Sequence, residues 1–294
     1  MIPNSILKSP FEDKGFPQKF TLRFQGSLYT LDKPKVMGIL NFSPDSFFEG
    51  SRIATDEKSA LQRVEKMLEE GADILDVGGY SSRPFAEHIP VEEEIKRVVS
   101  AIAAIKKTFG EVIISIDTFR AAVAQAAVEM GAAMVNDISA GNLDEAMLPT
   151  VAKLGVPYLA MHMRGNPQTM QEQTDYRDLI PDILNYFASK IEQFNKLGIR
   201  DILVDPGFGF AKTQEQNFDL LRNLRSFKQL GFPVVVGVSR KSMIYKTLNL
   251  SPSEALNGTT ALHMYALIQG AQILRVHDVK EAKETIQLFQ QLAP

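Results

Sequence analysis

The chain has 294 residues and a net charge of −3, and its 45% hydrophobic and 23% charged residues give the balance of a globular protein with a large core rather than a disordered chain. It contains no cysteine, which excludes a disulfide framework, a thiolate metal site and a cysteine nucleophile. Because basic residues are dispersed among acidic ones and no apolar run approaches the roughly 20 residues of a membrane span, we expect a cytoplasmic protein that binds neither nucleic acid nor membrane.

A β-hairpin is the first predicted element, and it lies in an N-terminal extension formed by residues 1–35. Apolar residues alternate with polar ones in the stretches 20–24 and 28–31, on either side of Gln25-Gly26-Ser27. Alternation around a glycine-containing turn predicts two antiparallel strands. We expect this hairpin to close one end of a barrel.

Eight repeats of a strand followed by a helix are predicted in residues 36–294. Short apolar runs alternate there with longer amphipathic stretches, and Ser251-Pro252-Ser253-Glu254 has the pattern of a helix start. Because no linker interrupts the series and no glycine-rich dinucleotide loop follows the first run, we expect a single (βα)₈ TIM-type barrel of the α/β class rather than a doubly wound open sheet. The predicted strands are 36–40, 74–77, 113–116, 134–135, 158–161, 202–204, 234–238 and 273–276.

Polar or glycine residues stand at the carboxyl end of every predicted strand. In a βα barrel these ends meet on one rim, so residues far apart in sequence are expected to line one pocket. For a single residue the alternative is a helix cap or a loop hydrogen bond, which explains Asp117 or Asp278 equally well. The rim residues are Asn41, Gly78, Gly79, Asp117, Asn136, His162, Asp205, Ser239 and His277.

Three of the rim residues have the chemistry to bind a heterocycle. Asp117, Asn136 and Asp205 offer hydrogen-bond acceptors and donors, and an ionised carboxylate can accept two parallel N–H bonds. An amino-pyrimidinone edge presents such a pair of N–H groups. These residues therefore predict a site that reads the edge of this kind of ring.

Basic residues in the last two repeats predict an anion site. Arg240 and Lys241 follow the seventh strand at a helix start, where backbone N–H groups also attract anions. Arg275 and His277 belong to the end of the eighth strand, and barrels commonly bind phosphate near their seventh and eighth loops. We expect a diphosphate here, with an ion pair at the barrel end as the alternative for Arg275.

Two further features concern loops and metals. The loops 41–50 and 78–85 are long, polar and rich in phenylalanine, which predicts mobile loops that cover a ligand, with ordinary surface loops as the alternative. The four histidines lack the spacing of metal ligands, so we expect no tightly bound zinc. Magnesium that arrives with a diphosphate remains compatible, because it keeps much of its water and needs few protein ligands.

The chain resembles the dihydropteroate synthases of the pterin-binding enzyme superfamily over about the whole barrel. The resemblance begins at Val36-Met37-Gly38-Ile39-Leu40-Asn41 and ends at Arg275-Val276-His277-Asp278-Val279. Its other specific pieces are the segments 41–47, 78–84, 117–118, 136–138, 161–164, 167–171, 205–210 and 239–242.

The resemblance implies a magnesium-dependent transferase of folate biosynthesis, a sulfonamide target and a homodimer. Such an enzyme condenses 6-hydroxymethyl-7,8-dihydropterin diphosphate with p-aminobenzoate to give 7,8-dihydropteroate and diphosphate. The implied pterin-binding residues are Asp117, Asn136, Met161, Asp205, Phe210 and Lys241. The implied diphosphate-binding residues are Asn41, Arg275 and His277, with Asn41 also at the metal, and Ser82, Arg83, Pro84 and Ser239 border p-aminobenzoate. The implied catalytic residues are Asp117, Asp205, Lys241, Arg275 and His277.

Two other functions are compatible with a pterin-binding barrel. One is a folate-dependent methyltransferase that acts on a corrinoid protein, and the other is a pterin-binding protein without catalysis. The 239–241 element and the long loop after Asn41 argue against the first, and the absence of losses among the rim residues argues against the second. Tyr80 and Phe85 depart from the common family pattern, and we expect them to change the shape of the p-aminobenzoate side.

Overall fold

The N-terminal hairpin predicted from the sequence is present. A computed structural model of the chain describes residues 19–24, 26–42, 57–80 and 89–292. In it, strand β1 (Phe20–Phe24) pairs antiparallel with strand β2 (Ser27–Leu31).

One face of the hairpin packs against the bottom of the barrel. Leu22, Phe24 and Leu31 are buried, and they form one apolar cluster with residues near the amino ends of the barrel strands, such as Met37 and Ile273. The alternation seen in the sequence therefore marks the buried face, and the hairpin closes the barrel as expected.

Eight parallel strands form the barrel, which confirms the predicted fold class. Each is almost wholly buried, because helices cover the outside and the side chains of the strands fill the inside. The strands are β3 (Lys35–Asn41), β4 (Ile74–Gly78), β5 (Ile114–Asp117), β6 (Met134–Asp137), β7 (Tyr158–Met161), β8 (Ile202–Asp205), β9 (Val235–Val236) and β10 (Ile273–Val276).

Helices follow the strands and surround them. The start predicted at Ser251 is a 3₁₀ turn, in which Glu254 Oε2 accepts from Ser251 N at 3.0 Å, and the α-helix begins shortly after it. No described helix is long and apolar enough to cross a membrane. The α-helices are α1 (Glu57–Glu69), α2 (Val91–Phe109), α3 (Ala121–Glu129), α4 (Met147–Leu154), α5 (Leu179–Lys196), α6 (Gln214–Arg222), α7 (Ser242–Tyr245), α8 (Leu256–Ile268) and α9 (Val279–Leu292), and the 3₁₀ segments are Met170–Glu172, Leu224–Leu230 and Pro252–Glu254.

Several strands run one or two residues further than the sequence predicted. Asn41, Asp117, Asn136 and Asp205 were expected just after strands, and they lie within β3, β5, β6 and β8. Adjacent registers align Asn41 with Gly78, Gly78 with Asp117, and Asp117 with Asn136. These polar side chains thus stand side by side on the rim, held by the strand ladder rather than by loops.

The barrel has one narrow joint, between β8 and β9. Strand β9 has only two residues, fewer than the predicted 234–238, and it pairs fully only with β10. Its link to β8 is a single bridge between Val204 and Val234, supported by a bond from Val204 N to Pro233 O at 3.0 Å. The joint therefore lies directly below Asp205.

His263 is a polar residue inside the helical layer. It lies on α8, is 1% exposed, and finds no hydrogen-bond partner for either ring nitrogen among the described residues. Burial lowers the pKa of His263 to about 4, although the Asp278 carboxylate raises it. The folded protein therefore holds this imidazole neutral.

We expect His263→Leu to stabilise the protein, and more strongly as the pH falls. Removal of a buried unpaired polar group is worth about 1–3 kcal/mol. Because the folded-state pKa lies below the ordinary 6.5, unfolding takes up a proton, and the wild-type protein loses stability as pH falls from about 6.5 towards 4. That loss is about 1.4 kcal/mol per pH unit and is absent from the variant. Urea unfolding of both proteins at pH 7 and pH 5 measures the difference, and an equal difference at the two pH values would contradict this account.

Candidate active site

Arg275 joins two carboxylates inside the mouth of the barrel. From β10, its Nε donates to Asp76 Oδ2 at 2.6 Å and its Nη2 donates to Asp117 Oδ2 at 2.5 Å. Asp76 Oδ2 also accepts from Asn136 Nδ2 at 3.0 Å. Side chains from β4, β5, β6 and β10 thus form one hydrogen-bonded group, the arginine cluster (Asp76, Asp117, Asn136 and Arg275). The ion pair considered as the alternative for Arg275 exists, and it lies within the predicted pocket.

Asp76 is a member of this cluster that the sequence analysis did not identify. It is fully buried in the middle of β4, and its Oδ1 has no partner among the described residues. The sequence did contain a signal, because an aspartate interrupts the apolar run Ile74-Leu75-Asp76-Val77. A charge in a buried strand is rarely retained without a partner.

The arginine cluster shifts the pKa values of its members. Burial raises the pKa of Asp117 to about 7, although Arg275 lowers it, and the nearby Asp76 raises it further. Burial lowers the pKa of Arg275, but Asp76 and Asp117 outweigh this and hold it above its usual range. Arg275 therefore stays charged, while Asp117 titrates near neutral pH and can accept or donate a hydrogen bond.

Asp205, Lys241 and Arg275 converge on the position of Gly237. A Cβ atom at Gly237 would lie 3.8 Å from Asp205 Oδ2 and 3.9 Å from both Lys241 Nζ and Arg275 Cβ. Asp205 Oδ1 is already occupied, since it accepts from Gly207 N at 2.8 Å. The side chains of Asp205, Lys241 and Arg275 therefore meet around Gly237, which leaves room between them because it has no side chain of its own.

Burial sets the protonation of this pair as well. Burial raises the pKa of Asp205, and the nearby Lys241 opposes this shift. Burial lowers the pKa of Lys241 to about 8, and Asp205 opposes that shift. Lys241 Nζ donates to the Phe208 carbonyl and lies 4.9 Å from the centroid of the Phe210 ring. The pair thus places an acidic and a basic group side by side at the opening.

An apolar wall stands beside these charged groups. Met161 is 4% exposed and packs with the buried side chains of Ile138, Met163 and Met170, and Phe210 packs against the same cluster. Met161 and Asp205 are register partners on neighbouring strands. A flat ring bonded to Asp205 would thus have an apolar surface next to it.

Ser239 and His277 lie together at the eighth strand end. His277 N donates to Ser239 Oγ at 3.2 Å, and His277 Nδ1 is also 3.2 Å from that oxygen. Arg63 Nη2 donates to the His277 carbonyl at 2.9 Å. Burial and then Arg275 lower the pKa of His277 to about 3, so this imidazole is neutral at pH 7. Positive charge for an anion here must come from arginine rather than from His277.

Asn41 ends β3 on the same rim. A Cβ atom at Gly78 would lie 3.2 Å from Asn41 Oδ1, so this amide oxygen lies over the neighbouring strand end. The described residues contain no group of three or more His, Asp or Glu suited to a metal ion. The oxygen of Asn41 nevertheless fits magnesium, which takes oxygen ligands and needs few from the protein when a diphosphate supplies the others.

An aromatic and cationic stack borders the rim next to Asp117. The Tyr80 ring meets Phe119 edge to face at 5.2 Å, and the Arg120 guanidinium lies 4.9 Å from the centre of the Tyr80 ring. Arg120 also forms a buried ion pair with Glu94 at 2.8 Å, and Thr118 Oγ1 donates to Glu94 at 2.8 Å. Tyr80 is thus packed against two neighbouring residues at the base of the loop that follows β4.

Part of the predicted site lies outside the described residues. This holds for the p-aminobenzoate residues Ser82, Arg83 and Pro84, for Phe85, and for most of both predicted covering loops. Of that predicted group only Ser239 is described, and it is 4% exposed.

Three residues highlighted by the sequence have their polar groups engaged away from the pocket. The Arg240 guanidinium forms two bonds to Asp278, at 2.8 and 2.9 Å, and also bonds the Pro252 and Ser253 carbonyls, so its N–H groups are engaged outside the pocket. His162 is 2% exposed, and its ring packs edge to face on Tyr186 of α5. Asp137 accepts from Tyr158 Oη and from the loop that follows it.

Comparison with known proteins places the chain in one family. The family model described as pterin binding enzyme matches residues 37–277. The dihydropteroate synthase of Escherichia coli K12 is 42% identical over 268 residues, which cover 90% of this chain and 94% of that protein.

Solved structures lead to the same family. The Yersinia pestis dihydropteroate synthase with a sulfonamide drug complex has a TM-score of 0.88 and 39% identity, covering 93% of this chain and 98% of that one. The Coxiella burnetii dihydropteroate synthase in complex with pteroic acid has a TM-score of 0.85 and 38% identity, with the same coverage of 93% and 98%.

Proposed function

The chain belongs to the pterin-binding enzyme family, among its dihydropteroate synthases, and we propose that the residues around Gly237 bind the pterin diphosphate substrate. As a transferase of folate synthesis it joins 6-hydroxymethyl-7,8-dihydropterin diphosphate to p-aminobenzoate. The methyltransferase and the non-catalytic binding protein considered above are set aside, because the similar proteins are synthases over nearly their whole length.

The convergence of Asp205, Lys241 and Arg275 on Gly237 carries this proposal. Asp205 Oδ2 is the carboxylate oxygen left available for ring N–H groups, and Asn136 and Asp117 can complete the hydrogen bonds of an amino-pyrimidinone edge. Met161 and Phe210 supply the apolar surfaces for the faces of the ring. The pterin is thereby oriented by groups that are already fixed before it binds.

The proposed chemistry is displacement of diphosphate by an amine. The C–O bond between the pterin methylene and the diphosphate breaks, and the leaving group carries away the electron pair. The p-aminobenzoate nitrogen then bonds to that carbon and releases a proton. Arg275 is permanently charged and lies beside the leaving group, so its contribution is stabilisation of the departing negative charge. His277 and Ser239 donate neutral hydrogen bonds at the same end, and Ser239, with Ser82, Arg83 and Pro84, borders the arylamine.

We propose magnesium as the cofactor, held by Asn41 and by the diphosphate itself. When bound, magnesium would neutralise part of the diphosphate charge. The position of the Asn41 oxygen at the end of β3 supports this assignment. The protein supplies few of the ligands, in keeping with magnesium chemistry.

Asn41→Ala is expected to weaken binding of magnesium diphosphate by about tenfold or more, since a lost ligand bond to a charged group is worth about 1.5–3 kcal/mol. Binding of a pterin that lacks phosphates should stay within about twofold, because the other proposed contacts of the ring remain. Calorimetry with each ligand, with and without EDTA, measures both. Equal losses for the two ligands would remove Asn41 from the diphosphate site.

The assay that tests the whole proposal is coupled measurement of diphosphate release. We expect release to require the pterin diphosphate, to be stimulated by p-aminobenzoate and to be inhibited by a sulfonamide. Release that is indifferent to p-aminobenzoate would contradict the proposed transfer.

We further propose a cytoplasmic homodimer in which α8 lies at the interface. From Ala261 to Ile268 this helix has no Asp, Glu, Lys or Arg, and its Tyr265 is exposed, as are the nearby Leu248 and Leu250. A helix that is apolar all round is normally buried on all sides. Sedimentation of the wild type and of Tyr265→Glu tests this, with a dimer expected for the former and a shift to monomer for the latter; a wild-type monomer at assay concentration would contradict it.

A further inference from the structure

The segment 206–211, hereafter the 206–211 loop, connects Asp205 to the proposed pterin contact Phe210 and is held by side chains. Three of its residues have positive φ, namely Gly207 at 76°, Gly209 at 80° and Ala211 at 50°. A Cβ atom at Gly207 would lie 2.0 Å from the His162 carbonyl oxygen, so only glycine fits there. The backbone is therefore bent tightly, and within the loop Phe210 N donates to the Gly207 carbonyl at 3.2 Å.

Side chains bind five carbonyl groups of this loop. The Ala211 carbonyl accepts from Tyr176 Oη at 2.9 Å, and the Gly209 carbonyl accepts from Gln171 Nε2 at 3.4 Å. The Phe208 carbonyl accepts from Lys241, the proposed pterin contact. The carbonyl groups of Gly207 and Phe210 are both bound by Lys212.

Lys212 is buried, burial lowers its pKa to about 7, and its amino group has three hydrogen-bonding partners. Its Nζ lies 3.0 Å from the Gly207 oxygen, 3.0 Å from the Phe210 oxygen and 3.1 Å from His162 Nδ1. Burial lowers the pKa of His162 to about 2, so its ring is neutral and Nδ1 can accept. Only 3% of Lys212 is exposed, and none of its three partners is a carboxylate.

We propose that Lys212 is a positioning residue for the reaction, which fixes the 206–211 loop and, through it, Lys241 and the Phe210 ring. The Lys212 amino group bonds to the loop at two places, the Gly207 and Phe210 carbonyls. The Phe208 carbonyl, which lies between them in sequence, accepts from Lys241. His162 Nδ1 is the third partner of this amino group. His162 does not line the pocket, and its role is to hold Lys212 in place. The inference rests on the proposed roles of Lys241 and Phe210.

Lys212→Met tests the inference, because methionine has a similar length and no N–H donor. We expect the dissociation constant for a dihydropterin without phosphates to rise at least about tenfold, and that for inorganic diphosphate to stay within about twofold. The diphosphate is bound by groups outside the loop, so a general loss of structure would weaken both ligands equally and would overturn the proposal.

A double-mutant cycle asks whether Lys212 acts through Lys241. In a Lys241→Met background, we expect the effect of Lys212→Met on pterin binding to shrink to less than about threefold. Independent, multiplicative effects would overturn the proposal. Tyr176→Phe is the matched control, because it removes a single bond at the far end of the loop and should change pterin binding by less than about twofold.

A second variant covers the case in which Lys212→Met does not fold. Lys212→Gln keeps two N–H donors, and we expect it to bind pterin with an affinity between those of the wild type and Lys241→Met. Wild-type affinity in Lys212→Gln or Lys212→Met would overturn this inference alone. Failure of the wild-type protein to bind the dihydropterin would instead overturn the proposed function.

Discussion

Asp205→Asn is expected to lower kcat/KM for the pterin substrate by about ten- to a hundredfold, through the loss of a charge-assisted hydrogen bond worth about 1.5–3 kcal/mol. The orientation of the new amide is fixed by the structure. Its oxygen must accept from Gly207 N, which Asp205 Oδ1 binds at 2.8 Å. The amide NH₂ then takes the place of Oδ2 and points N–H groups at the N–H groups of the pterin. Steady-state kinetics measures the loss.

Asp137→Asn is the matched control, with the opposite outcome. Asp137 Oδ1 accepts from Ser139 N and Oγ, and Oδ2 accepts from Gly141 N and Tyr158 Oη. An amide can serve only one of these two pairs of donors, so we expect a lower melting temperature. Activity of the folded variant should change by less than about threefold, because Asp137 does not face the pocket. Comparable activity in the two variants would remove Asp205 from the pterin site.

Arg275→Met is expected to lower kcat/KM by about a hundred- to a thousandfold, the usual effect of losing one group that stabilises developing charge. It should also destabilise the fold by about 3–5 kcal/mol, because Asp76 and Asp117 would be left as neighbouring buried carboxylates. Pterin binding should weaken too, since Arg275 holds Asp117. Asn41→Ala, in contrast, is expected to leave binding of a pterin without phosphates nearly unchanged.

Asp76→Asn combined with Arg275→Met separates the structural effect from the catalytic one. The double variant removes a buried positive and a buried negative charge together, so it should recover at least about 1 kcal/mol of the summed stability losses. Activity should not recover, because the proposed contact of Arg275 with the diphosphate is still missing. Urea unfolding and kinetics on the four proteins measure both quantities. Additive stability losses would show that Asp76 is not a main partner of Arg275.

The barrel and the position of its site were predictable from the sequence for a physical reason. The period of apolar runs gave eight parallel strands, and the carboxyl ends of parallel strands meet on one rim. Asn41, Asp117, Asn136 and Asp205 therefore lie together, although they are spread over 165 positions. The predicted strands stop too early because polar residues are typical of loops, whereas the rim side chains of this barrel belong to its strands.

The partners of the polar groups were not predictable in the same way. Arg240 was interpreted as part of an anion site, but its carboxylate partner Asp278 lies 38 residues further along the chain. Asp76 lies within an apolar strand, and the sequence around Lys212 does not indicate its buried partners. Whether a charged side chain faces a ligand or a buried partner depends on the direction of the side chain, which strand periodicity fixes only after the register is known.

The narrow joint between β8 and β9 suggests that a bound ligand would also stabilise the barrel. Seven pairs of neighbouring strands in the barrel are joined by ladders of hydrogen bonds. The pair β8 and β9 depends instead on the single bridge between Val204 and Val234. Asp205 stands on one side of the joint and Lys241 on the other. A pterin that bonds to both residues would connect β8 and β9 where few backbone bonds do so. Substrate binding would then stabilise the barrel itself.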